Sequence, residues 1–199
     1  MDLLEVSGVD IASFVKDQLA YRFSTVEESS FLVGDGAGKP HGVFVASDSG
    51  ISTCRDCSTG NTTTEQKADN LISTQHMLEP QYWPNSTWVM HTDVLKQVRQ
   101  LKLGDGSYIW SPGISSGMPN TILDRPYILS MYAPSTMTSG QYTAIIGDWS
   151  AFWIVESIRM KISVLDQLYA EQNMVAYVGR QRLDANAVDE SAFARCKLA

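Results

Sequence analysis

The sequence predicts an α+β fold, a mixture of helices and mostly antiparallel strands. Three observations carry this. Apolar residues fall at helical spacing in three segments of the first half, and apolar or aromatic runs bounded by Pro or Gly turns fill much of the second. After them, Ile158-Arg159-Met160-Lys161-Ile162-Ser163-Val164 alternates apolar and polar residues, the mark of a strand with one wet face.

Taken in order, the first helix is expected from about Asp10 to Phe23. Ile11, Phe14, Val15, Leu19 and Phe23 share one face, and Asp10 or Ser7 can cap the start. Residues 34–42 then hold five glycines or prolines in nine positions, a rigid turn. From Asp48 to Thr64 the composition shifts to Ser, Thr, Gly and Asp, a surface loop. A second helix is expected to begin near Thr62, where Thr62-x-x-Glu65 has the form of a capping box, and to stop before Pro80, with Ala68, Leu71, Ile72 and Leu78 inward. A third is expected from about Asp93 to Leu103, burying Val94, Leu95, Val98 and Leu101, with Gly104 placed to end it. Strands follow at Tyr127 to Tyr132, Tyr142 to Ile146 and Phe152 to Val155. The alternating strand at 158–164 would connect through Leu165 to Asn173 to a partner at Met174 to Arg182, giving a long hairpin.

Composition bounds the function. With 199 residues, 44% of them hydrophobic, the chain can bury a sizeable core in one or two domains. No apolar run approaches the roughly 18 residues needed to cross a bilayer, and Met1-Asp2-Leu3-Leu4-Glu5 does not read as a secretory signal. Twenty-two acidic against 15 basic residues give a formal charge of -7, which repels phosphate backbones, and no basic cluster offsets it. Neither membrane nor specific nucleic-acid binding is therefore expected.

Each motif that could carry chemistry fails on context. The turn at 34–42 could cradle a phosphate on backbone N–H groups, but a Walker loop ending at Gly38-Lys39 needs a glycine where Val33 stands and a hydroxyl where Pro40 stands. The dinucleotide pattern fails where its third glycine would fall, at Lys39. Asp35, between glycines, is read as bonding its own turn; the other ligands of a calcium loop are absent. Cys54-Arg55-Asp56-Cys57 has the spacing of half a zinc site, but Cys196, His41, His76 and His91 show no partner spacing, so it is read as an incidental pair of reduced thiols. Gly113-Ile114-Ser115-Ser116-Gly117 fits the nucleophile elbow, yet no histidine follows His91 and the segment lies between Pro112 and Pro119, so a hydrolase using Ser115 is disfavoured. No catalytic, cofactor or metal residue is assigned, and the protein is not expected to be an enzyme.

The turn itself resembles a family signature. Members of the tailed-phage major capsid protein family, with the Hong Kong 97 fold, carry a long helix, an acidic pair, an aromatic-Leu step, then Gly-Asp-Gly-x-Gly-x-Pro-x-Gly and an apolar strand. Here Glu27, Glu28, Phe31, Leu32, Gly34, Asp35, Gly36, Gly38, Pro40 and Gly42 fill those places, followed by Val43-Phe44-Val45. The likeness continues in order through Trp88-Val89-Met90, Gln100-Leu101-Lys102, Asp105-Gly106-Ser107-Tyr108, Gly117-Met118-Pro119-Asn120-Thr121-Ile122-Leu123 with Pro126, and Gly147-Asp148-Trp149 to Ala192-Phe193. Gly34, Asp35, Gly36, Gly38, Pro40, Gly42, Gly147 and Asp148 are read as a structural turn motif, with Trp149 a buried aromatic after a tight turn.

The resemblance implies a peripheral domain of long helix and long β-hairpin, here residues 1–45 and 150–182. It implies an axial domain of mixed sheet with helices, here 46–149 and 183–199. It further implies self-assembly into pentamers and hexamers of an icosahedral shell that encloses a genome, with portal and scaffold as partners, assembly in the host cytoplasm and residence in the virion. Against the family, the chain lacks the N-terminal arm and the extended loop before the first helix, which reads as a truncated form of a phage or prophage protein; no crosslinking residue is assigned. Arg125 stands where a glycine often precedes the proline, and Leu183-Asp184-Ala185-Asn186-Ala187 where a glycine-rich turn is common. An encapsulin-like compartment or other non-viral protein of the same fold is the alternative.

Overall fold

The computed structural model describes residues 11–58, 60–102, 121–165, 167–172 and 174–199. The chain divides into two compact, discontinuous units: the described part of Met1–Ser29 with Ile154–Asp184, and Ser30–Trp153 with Ala185–Ala199.

The larger unit is built on a six-stranded mixed sheet. Its strands are β1 (Asp56–Cys57), β2 (Thr87–Met90), β3 (Thr121–Ile122), β4 (Arg125–Leu129), β5 (Tyr142–Gly147) and β8 (Phe193–Lys197), in the spatial order β1-β8-β5-β2-β4-β3. β5 pairs antiparallel with both β2 and β8, while β1 with β8 and β2 with β4 are parallel. The three central strands β8, β5 and β2 are buried along nearly their whole length, so both of their faces are covered. Successive side chains point to opposite faces of a strand, so each strand feeds two cores. Trp88, Met90, Ala144, Ile146, Ala194 and Cys196 join the cluster under helices α2 (Ala68–Met77) and α3 (Thr92–Arg99). Val89, Ile145 and Phe193 join the other, with Leu32, Val43 and Phe44 from the glycine-rich segment.

Helix α2 starts six residues later than its capping box suggests. Thr62 Oγ1 does accept from the Glu65 N–H at 3.0 Å, but no helix follows. The reason is that Asn61 and Gln66 are needed elsewhere: both are buried and reach the sheet, Asn61 Nδ2 donating to Lys197 O at 2.8 Å and Gln66 Oε1 accepting from Thr143 Oγ1 at 2.6 Å. The helix then turns a partly polar face inward, burying Asn70, Thr74 and Gln75 with Leu71, and Ile72 is exposed rather than inward. Helix α3 is shorter than the expected span; His91 caps it by accepting from the Asp93 N–H at 3.1 Å, and Val94, Leu95 and Val98 are buried. Gly104 lies outside the described residues.

β4 begins two residues earlier than expected and ends at Leu129 because it forms a hairpin with β3. The two residues between them, Leu123 and Asp124, have φ of 50° and 63°, which is the two-residue turn whose twist suits a hairpin. Neither is glycine, so the usual sequence signal was missing.

In the smaller unit, helix α1 (Ile11–Val33, whose last turn belongs to the larger unit) runs ten residues past Phe23. Ser24 and Thr25, which often oppose helix, hydrogen-bond back to Tyr21 O at 2.9 Å each. Phe14 is exposed, so the apolar face is narrower than its spacing suggests. β6 (Phe152–Leu165) merges two expected strands into one of 14 residues, and β7 (Ala176–Ala187) pairs with it as a two-stranded ribbon. Phe23 of α1 lies over Gly179 of β7, where an added Cβ would come within 2.5 Å of the Phe23 ring.

Candidate functional site

The turn after α1 is held by its own backbone. A helix end leaves carbonyls without partners; here the chain doubles back so that the N–H groups of Val43 and Phe44 donate to Phe31 O and Leu32 O at 3.0 and 2.9 Å. Gly34 N–H donates to Ser30 O and Gly42 N–H to Gly34 O, both at 2.9 Å. These four N–H groups are therefore taken up inside the turn rather than turned outward to an anion. The strands of the turn cross so closely that a Cβ on Gly42 would sit 2.5 Å from Gly34 N, and one on Gly34 would overlap the Pro40 carbonyl. Asp35 Oδ1 accepts from the Ala37 N–H at 3.1 Å, while Lys39 is exposed.

The second half of the motif is built into the same core. Asp148 N–H donates to Ala192 O, and Asp148 Oδ1 accepts from the Ser150 N–H, both at 3.0 Å. Gly147 lies so close to Phe193 that a Cβ would overlap its ring. Trp149 stands edge-on to Phe193 and Phe152 at 5.7 and 6.4 Å, and Phe31 edge-on to Phe152 at 6.1 Å. Trp149 is half-buried rather than buried, its indole N–H donating to Thr87 O at 3.2 Å. Two motifs more than a hundred residues apart thus meet around one aromatic group at the root of β6.

Arg195, which the sequence reading did not single out, organises the loop between them. It is fully buried in β8. Its Nε and Nη2 contact Asp56 Oδ1 at 2.8 and 2.7 Å, Nη2 donates to Ser52 O at 2.8 Å, and Nη1 donates to Val45 O at 3.0 Å. The guanidinium lies 4.5 Å over the Tyr142 ring, and Tyr142 OH donates to Asp56 Oδ2 at 2.8 Å. Burial, then the bond to Asp56, push the Tyr142 phenol up to about 12, against the pull of Arg195. The one available signal was a lone charge inside the apolar run Phe193-Ala194-Arg195-Cys196.

β6 presents the opposite chemistry. Ile154, Ile158, Met160 and Val164 alternate along one face and are 51%, 50%, 42% and 46% exposed, and Trp153 and Val155 are exposed beside them. The face expected to be covered is open, and Arg159 and Lys161 on the other side are exposed as well.

The remaining candidates do not assemble. Cys54 is exposed with Sγ 2.6 Å from Ser52 Oγ, whereas Cys57 is buried against Asn70. Among the described residues no group of three His, Cys, Asp or Glu could hold a metal, and no helix is long and apolar enough to cross a membrane. His41 contacts Ser49, His76 bonds Ile72 O and His91 caps α3, three separate places. Gly113 to Gly117, with Ser115, lie outside the described residues.

The sequence model of the phage capsid family matches residues 1–198. Among solved structures, the capsid of an empty GTA particle superposes with a TM-score of 0.85 at 22% identity, covering all of this chain and 70% of that one. A Microbacterium phage Oxtober96 chain gives 0.73 at 15% identity, with 100% and 69% covered, and a Gordonia phage Cozz chain 0.66 at 16%, with 99% and 65%. At these identities the likeness is one of fold. No curated protein matches significantly.

Proposed function

We propose, on the premise that the chain belongs to the phage capsid family, that it works by docking with copies of itself through the exposed ribbon of β6 and β7. It is a major capsid protein with the Hong Kong 97-like α+β fold, a structural component of a virion shell. The observation that carries the docking proposal is the row Ile154, Ile158, Met160 and Val164, a periodic apolar face that the described residues leave about half-exposed. Fully burying a side chain of this size contributes about 1.5–3 kcal/mol, so a half-exposed row of four holds a useful fraction of that in reserve for a neighbour.

The repeated contact is head-to-tail, which closes into rings; we assign pentamers and hexamers. Each contact is weak and the shell is held by their number, because a subunit leaves only when several break together. The two compact units serve as the peripheral part, with α1 and the ribbon, and the axial part, with the six-stranded sheet. Gly34, Asp35, Gly36, Gly38, Pro40, Gly42, Gly147 and Asp148 are scaffold in this reading: they fix the exit of α1 and the root of β6, and the protein's action is assembly without catalysis. Assembly takes place in the host cytoplasm with portal and scaffold proteins, and the net charge of -7 leaves the enclosed nucleic acid unbound by specific contacts.

Sizing by light scattering across a concentration series tests this. The chain is expected to grow from monomer to ring-sized species, and the double substitution Ile158→Glu with Met160→Glu to hold it at monomer with its circular dichroism unchanged. A monomer at every concentration, or a double variant that assembles like the parent, overturns it.

A further inference from the structure

The two buried cysteines are neighbours across a strand pair. Cys57 ends β1 and Cys196 lies in β8, and the parallel pairing makes them direct partners. Partnered residues on adjacent strands lie roughly 4.8 Å apart at Cα and point to the same face, which falls inside the range of about 4.4–6.8 Å that a disulfide spans. Both sulfurs touch one side chain: Cys57 Sγ donates to Asn70 Oδ1 at 3.1 Å, and Asn70 Nδ2 donates to Cys196 Sγ at 3.0 Å. Gln66 Nε2 and Asn61 Nδ2 also donate to Cys196 Sγ, at 2.9 and 3.7 Å. Burial pushes the Cys196 thiol above its ordinary range, and the N–H donors of Gln66 and Asn61 facing the sulfur offset only part of this, so the attacking thiolate forms when the edge of the sheet opens to water. Cys54, three residues from Cys57, turns away toward Ser52 and Glu190.

We propose that Cys57 and Cys196 form a redox site that closes to an intramolecular disulfide when the particle meets peroxide outside a reducing cell interior. The Cys196 thiolate attacks a peroxide oxygen, giving a sulfenic acid and releasing water once the leaving hydroxide takes a proton. Cys57 then attacks that sulfur, the S–O bond breaks, and a second water leaves. Two thiols have lost two electrons and two protons, and one peroxide has become two waters. Access comes through β1, which is two residues long and stands at the edge of the sheet, where pairing opens most easily. The bond fastens the loop carrying Asp56 and Ser52 to the last strand, reinforcing the grip that Arg195 already has on both.

Trypsin provides a clean assay, since Arg55, Lys67 and Arg195 place the three cysteines in separate peptides. The full chain is treated with hydrogen peroxide, alkylated, digested and mapped by mass spectrometry. Expected is a linked pair of residues 56–67 with 196–197, absent after reduction, from protein that runs as a single chain on a non-reducing gel. In a Cys54→Ser chain, alkylatable thiols are expected to fall from two to none; in Cys57→Ser the linked pair disappears. Two thiols persisting in Cys54→Ser after prolonged exposure overturn the proposal. So does a bridge that includes Cys54 or joins two chains. Should Cys57→Ser fail to fold, the Cys54→Ser count decides.

Discussion

β5 and β6 are both apolar strands, separated by a few residues, and they end in opposite states. In β5, Ala144, Ile145 and Ile146 are wholly buried, shared between two cores. In β6, Ile154, Ile158, Met160 and Val164 are about as apolar and remain half-exposed. The first strand finishes its packing within the chain; the second has its apolar face ready and nothing in the described chain over it. The difference teaches that apolar periodicity measures an appetite for cover, and that the supplier of the cover can be the same molecule or another copy.

The comparison predicts where substitutions act. The largest loss is expected on the closed side, at the Arg195 knot. Asp56→Ala leaves a fully buried guanidinium without its carboxylate, and breaking such a pair costs about 3–5 kcal/mol; urea unfolding should show it as a large fall in midpoint. Next, Ile145→Ala opens a cavity in a fully packed core at a cost of about 2–5 kcal/mol. Ile158→Ser, on the open side, should move the same unfolding curve by less than about 0.5 kcal/mol while lowering assembly. Equal effects of these two on stability would erase the contrast between the strands.

A smaller effect separates them by pH. Tyr142 titrates at about 12 in the fold against an ordinary 10.0, so its neutral form is favoured by folding. The stability this contributes is complete below pH 10 and is lost as pH rises through 10 toward 12. Denaturation midpoints taken up that range should fall more steeply for the parent than for Tyr142→Phe, whose phenol is gone. Superimposable curves would mean that burial and the bond to Asp56 do not hold the phenol neutral.

Much of the fold was legible because period and punctuation say where a backbone goes. The alternation at 158–164 gave the ribbon strand, and the clustered glycines gave a turn where the chain doubles back on α1. What stayed hidden depends on partners far along the chain. Thr62 and Glu65 carry the letters of a helix start, but Asn61 and Gln66 are drawn to Lys197 and Thr143, more than seventy residues on, and the helix waits until Ala68. Arg195 reads as an ordinary basic residue until the loop at 45–56 is folded over it. Leu123 and Asp124 adopt a glycine-like backbone because the flanking strands pair, not because their side chains ask for it. The turn motif was readable as rigid; that its two halves meet around Phe152 was not, since nothing local to either half names the other.

Feeding two cores from each central strand has a consequence for chain length. One inserted residue in β5 would carry Ile145 to the side occupied by α2 and α3 and exchange the contents of both clusters together. Substitution there is gradual in its damage, while insertion is all or nothing. Added length is tolerable only where the backbone runs over the surface, so growth of this protein is confined to its loops.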